Sequence, residues 1–260
     1  MNRLYLNLLL CAYAWTPFHM YGKDLTLNRQ QVSLGPQWIH VNRAKEGGTK
    51  QSGDLFGGYF TYDRLKRYGW YLGAEASYAK GSLKGSVDEG GHLHSTFTDV
   101  WAEGRFGYTL QKKEGNRFAF TPFVGFGYAM EKNNFNKSSP LAIHFKTHFY
   151  YISTGFLASM HFCDNFDCGV LFRARISYDP KCKVSHDPEN ESVSQKIGEK
   201  VQYRIELPIT YHIPCHDQLA VTMYPFYEYR PYGEHVNFPF DFIKTTLNLW
   251  GASANLVYRF

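Results

Sequence analysis

Between Trp250 and Phe260 the character of the chain changes at every residue. Trp250, Ala252, Ala254, Leu256, Tyr258 and Phe260 form one apolar set, and Gly251, Ser253, Asn255, Val257 and Arg259 form a mixed one. A period of two belongs to a β-strand with unlike faces. The same period recurs along most of the chain, and this restricts the fold more than any other feature. It is cleanest where Phe118, Phe120, Pro122, Val124, Phe126, Tyr128 and Met130 alternate with Ala119, Thr121, Phe123, Gly125, Gly127 and Ala129.

Ten such segments are expected, over about 31–43, 55–63, 70–79, 100–110, 118–130, 143–162, 168–178, 201–213, 219–229 and 250–260. Pro36 suggests a bulge or an early start in the first, and the phase is lost near Phe149-Tyr150, where a bulge is expected. The connections 44–53, 80–91, 132–141, 179–199 and 230–241 read as long loops, and 64–69, 111–116, 163–167 and 214–218 as short turns. Long and short connections taken in turn are what a transmembrane barrel shows when both termini lie in the periplasm. The charges fall on one face of these strands, so the face rich in Phe, Tyr, Ile and Val is read as the lipid-facing exterior.

Composition agrees. The 260 residues are 44% hydrophobic, with 20 Tyr and 21 Phe, and the mean hydropathy is −0.39. No stretch reaches the roughly 18 consecutive apolar residues of a membrane helix. The net charge of +5 comes without a clustered basic stretch, which argues against nucleic acid as a partner. Residues 1–22 read as a signal peptide, with an apolar stretch Leu4–Cys11 and a small-x-small site at Ala12-Tyr13-Ala14, and 23–260 as one domain. Cleavage nearer Gly22 is the alternative. Leu10 is the wrong residue for Cys11 to be a lipoprotein cysteine.

A last strand closing on Tyr258 and Phe260 resembles the C-terminal signature of Gram-negative outer-membrane β-barrels, in which that strand is read by the assembly machinery. The resemblance implies an all-β, single-domain, ten-stranded antiparallel transmembrane β-barrel with meander order (eight strands being the alternative) located in the bacterial outer membrane. Its partners would be outer-membrane lipid and lipopolysaccharide, the barrel-assembly machinery, and an extracellular ligand or host surface. The strand number is similar to that of the omptins, outer-membrane proteases whose Asp and His residues line the extracellular rim. That likeness is one of architecture, with no shared motif to carry catalytic residues over.

The inward set is charged in both signs: Glu75, Asp99, Glu103, Arg105, Arg173, Arg175, Arg204, Glu206 and Glu228. At mid-depth in hydrocarbon each would cost roughly 2–4 kcal/mol, so they are expected to form a salt-bridge network plugging the lumen. A narrow small-solute pore is the rival use of the same charges. His94, Asp99, His144 and His148 are the candidates for a rim enzyme, a protease or lipid A hydrolase, with His92, Ser95, Glu131, His235 and Asp241 nearby; a His–Asp pair can activate water. No cofactor and no metal site is implied. Cys163, Cys168 and Cys215 fall on periplasmic turns and are the candidates for a disulfide, while Cys182 falls in an outer loop. The function expected is that of a plugged barrel with a structural or adhesive surface role.

Overall fold

A computed structural model describes residues 29–66, 68–86, 91–111, 117–136, 139, 143–163, 165–187, 192–214, 216–239 and 241–260. The expected signal segment, Cys11 and Cys215 lie outside the described residues.

The alternation folds as it reads. Seven long strands, β1 (Arg29–Lys45), β2 (Thr49–Leu65), β3 (Gly69–Ser86), β4 (His92–Thr109), β5 (Phe118–Phe135), β6 (His144–Cys163) and β7 (Phe166–Ser185), follow one another as antiparallel neighbours. Three short strands come next, β8 (Ser192–Lys196), β9 (Val201–Glu206) and β10 (Ile209–His212), before β11 (Leu219–Tyr232) and β12 (Thr245–Arg259). β12 returns to pair with β1, from Gln31 opposite Arg259 to Lys45 opposite Thr245, and closes the sheet.

The three short strands are one stave. Lys196, Glu206 and Ile209 pair with Lys181, Leu171 and Cys168 of β7 in a single unbroken register. Pro208 causes one of the breaks. It has no N–H to give to the ladder, and its carbonyl instead accepts from the Gly169 amide at 2.9 Å. Counted by staves the ring is a closed ten-stranded antiparallel barrel.

Several expectations are corrected. Pro36 produces no bulge: the β1–β12 register is the same on both sides of Gly35-Pro36, where pairing is merely skipped. The expected irregularity beside Phe149-Tyr150 is present as a shift between His148 and Tyr150 against β7. The connections on the side away from the termini are shorter than read. β1 and β2 are joined by a tight turn in which Gly47 and Gly48 take φ of 89° and 88°, values that suit glycine. β3 runs on to Ser86 and β7 to Ser185. A strand of about 9–11 residues crosses the hydrocarbon, so these strands of 17–20 residues extend well beyond it.

The reason lies inside. In the outer half of the barrel the inward side chains turn apolar: Ile39, Val41, Leu55, Leu83, Phe97, Phe149, Val184, Leu247 and Leu249 form one buried cluster. There the contrast between faces that marks a membrane strand disappears. On the exterior the apolar band is plain, with Phe126 and Ile152 each 61% exposed and with Phe56, Trp70, Tyr78 and Ile176 beside them in kind. Such a surface is stable only against lipid.

Candidate functional site: the lumen and its outer mouth

Beneath the apolar layer the lumen is filled by ion pairs. Arg173 on β7 is completely buried and is the hub. Its guanidinium pairs with Glu75 of β3 at 2.6 Å, with Glu103 of β4 at 3.2 Å and with Glu206 of β9. Arg175 lies 3.1 Å from Glu228 of β11 and 3.5 Å from Glu103. Arg204 holds Glu206 and Glu228, both at 2.8 Å. Toward the periplasmic end Arg105 pairs with Glu75 at 2.6 Å and Asp63 at 3.5 Å, and the Tyr71 hydroxyl donates to Asp63 at 2.7 Å.

Burying so many charges is tolerable only because each has partners and the guanidiniums also find π faces. Trp101, at the centre of the inward face of β4, lies under Arg173, Arg175 and Arg204 at 5.3, 4.7 and 5.3 Å. Arg204 also lies 3.8 Å over Phe226. Glycine makes the room: a Cβ on Gly127 would meet the Tyr151 ring at 2.3 Å, and that ring carries Arg175 at 4.8 Å.

Glu75, Glu103, Arg105, Arg173, Arg175, Arg204, Glu206 and Glu228 therefore stand in one connected network. Two members escape a reading by sequence. Arg230 falls in what reads as a loop, but β11 continues to Tyr232 and turns Arg230 inward. Its guanidinium reaches Glu228 and Asp99, each at 2.8 Å, and also Glu131. Glu131, which reads as a rim residue, in turn accepts from the Tyr232 hydroxyl at 2.6 Å. The alternation of Glu131 with Met130 and Lys132 is the signal that could have placed it inside.

The rim candidates are not brought together. Asp99 is buried on the inward face of β4, already paired with Arg230, whereas His94 belongs to the opposite, outward set of that strand. His144 and His148 share the outward set of β6 with exposed Tyr150 and Ile152. The His144 ring lies against that of His186, centroids 4.2 Å apart and planes tilted by 39°, and burial, then the neighbouring imidazole, lowers its pKa below the ordinary 6.5. A hydrolytic pair needs both groups facing one substrate, and the strand period denies this to His94 with Asp99. Among the described residues no group of three or more His, Cys, Asp or Glu is arranged to hold a metal ion.

The expected disulfide is absent between Cys163 and Cys168, both of which are free thiols, as is Cys182. Cys163 pairs with Phe166 and Cys168 with Met160. That offset places them roughly 10 Å apart at about 3.3 Å per strand residue, beyond the reach of an S–S bond. The periplasmic end carries instead a compact cluster: Asp167 lies 2.6 Å from His161 and 2.8 Å from His212. At the last strand Tyr258 and Phe260 both point outward, their rings stacked at 6.1 Å.

Above the network the outer mouth opens into a chamber of about 480 Å³. Glu131 and Tyr232 lie at its base, Phe97, Phe145, Phe242 and Leu247 line its walls, and Arg43 and Lys45 enter from β1.

No protein-family profile and no curated protein matches the sequence. Solved structures do match in shape. The outer-membrane protease OmpT from Escherichia coli superposes with a TM-score of 0.59 at 11% identity, over 92% of this chain and 98% of that one. The translocator domain of the autotransporter NalP from Neisseria meningitidis gives 0.49 at 8% identity, over 99% and 95%. Ail of Yersinia pestis gives 0.36 at 14%, over 89% and 99%. At such identities the likeness to OmpT carries the fold alone, that of a Gram-negative outer-membrane β-barrel. Its apolar girdle and charged interior are those of a barrel that spans a membrane.

Proposed function

We propose that this protein is a non-conducting outer-membrane barrel that acts through its outer surface, in a structural or ligand-contacting role. The observation that carries the reading is the Arg173 hub, which ties β3, β4 and β9 together across the lumen. A continuous water path needs a lumen wide enough to leave its centre free, and wide aqueous channels need about 16 strands. Here the centre is occupied by the ion network, and the apolar layer above it walls the outer mouth.

Single-channel recording on the purified barrel in a planar bilayer tests this. The expected trace is flat at physiological salt, with no unitary steps. Regular open events from the wild-type protein would replace the plug with a narrow pore. The neighbours in shape span a protease, an autotransporter translocator and Ail, and at their low identity none of these activities comes to this chain.

A further inference from the structure

We infer that the outer chamber is a binding site for a small amphiphilic anion, a medium-chain organic carboxylate whose head meets Arg43 and Lys45 and whose apolar body lies against Phe97, Phe145, Phe242 and Leu247. The chamber measures about 480 Å³, within the range of sites that enclose a small molecule. Phe97, Phe145, Phe242 and Leu247 give its walls apolar stretches, and Arg43 and Lys45 enter side by side from β1.

The two cations decide the sign of the ligand. Arg43 is held by a neutral partner: its Nη1 donates to Gln51 Oε1 at 3.1 Å. Gln51 is itself fixed by Asn133 at 3.1 Å and by Ser95 at 2.9 Å. This chain of amides aims the guanidinium without neutralising it. Lys45, two residues along the same inward face, has no carboxylate within ion-pairing distance among the described residues. The other five lumen arginines each have at least one. Glu131, the acid at the base, is already matched by Arg230 and Tyr232. Asp187 and Asp241 also line the chamber, but neither pairs with Arg43 or Lys45, and Asp241 accepts from the Asn237 amide at 2.7 Å. A half-buried guanidinium with a neutral neighbour and open space before it is a ready receptor for a carboxylate, which it can meet through two parallel N–H donors.

The inference rests on the proposed closed lumen for its floor, yet the two fail separately, since conductance tests the floor and ligand binding tests the chamber. The probe is octanoate, with octanol as its uncharged counterpart, measured by equilibrium binding to the full barrel in neutral phosphatidylcholine nanodiscs after subtraction of empty discs. The wild type should bind octanoate saturably and at least about ten-fold more tightly than octanol, the difference one charge-assisted contact supplies. Arg43→Gln and Lys45→Gln should each weaken octanoate by roughly ten-fold or more and leave octanol unchanged. Lys45 stands at the very end of β1, so its replacement spares the fold even if Arg43→Gln does not. Thr245→Trp, which fills the chamber from a lining position, should abolish both. Absence of saturable octanoate binding, equal affinity for octanol, or equal octanoate affinity in the wild type and Lys45→Gln would each overturn the site.

Discussion

Arg230 and Asp99 meet across the full width of the barrel, the guanidinium of β11 donating to the carboxylate of β4 at 2.8 Å. In the ring of ten staves these two strands stand opposite one another, so this contact is a diameter. Arg230 also holds Glu228 and Glu131, and its removal leaves acids on three staves facing a dry interior. Arg230→Ala should therefore lower unfolding stability in urea by roughly 3–5 kcal/mol, the penalty for stranding a buried charge. Stability unchanged within about 1 kcal/mol would show that these acids do not depend on it.

Arg204→Ala removes a different tie, the one between Glu206 and Glu228. A loss of similar size, roughly 3–5 kcal/mol, is expected. Conductance should stay absent, because Arg173, Arg175 and Trp101 still fill the section. Ion current appearing in this variant would show that one side chain gates the lumen.

On the lipid side the signs reverse. Ile152 and Phe126 sit at the middle of their strands on the exposed face, and Ile152→Arg should destabilise the inserted barrel by roughly 2–4 kcal/mol. The same substitution at Tyr178, nearer the outer end of β7, should be tolerated more easily. Equal effects at both positions would show that Tyr178 lies as deep in the bilayer as Ile152.

Deleting Phe260 removes the end of the stacked Tyr258–Phe260 pair on the outward face and a backbone tie, its amide donating to the Gln30 carbonyl at 3.0 Å. Insertion should fall and the protein should be recovered from the periplasm as fragments. Unaltered surface exposure, read by labelling intact cells, would separate the last residue from assembly.

His144 lies at the outer tip of β6, beyond the span that crosses the bilayer. Its pKa is depressed, so the neutral ring is the form that suits its place against His186. The contact is intact above the ordinary value of about 6.5 and weakens as pH falls below it, because protonation then puts charge into a close imidazole pair. An NMR titration should give His144 a midpoint below that of a free histidine, and a midpoint above it would reverse the assignment.

The order of strands and the direction of most side chains were legible in the sequence, because a period of two against lipid leaves little choice. Trp70, Leu72 and Tyr78 face out and Glu75 and Ser77 face in, as their alternation reads. What stayed hidden was the change of interior chemistry along the axis. Val184, Cys182 and Leu83 are apolar and inward, and in one dimension they are indistinguishable from loop residues near Gly and Ser. Arg230 was lost for the same reason, sitting past the last clean alternation of its strand. The pairing of partners was beyond sequence altogether, since Arg173 and Glu75 are separated by 98 positions in the chain. The cysteines show the limit of turn counting: the short β6–β7 connection puts Cys163 and Cys168 at the same end, but register alone sets which residues face.

The spliced stave gives the ring a preferred line of yielding. Nine staves are continuous ribbons, but the tenth leaves strand pairing between Lys196 and Val201, where Ile197 and Gly198 keep backbone ties to Pro180 and Gly233, and again at Leu207-Pro208, where Pro208 has no N–H to give. A hoop under load opens at its splice. Any widening of this barrel, whether by heat, by lateral pressure in the membrane or by a guest too large for the outer chamber, would begin between β7 and β11, on the side from which Arg204 and Glu206 hold the interior shut.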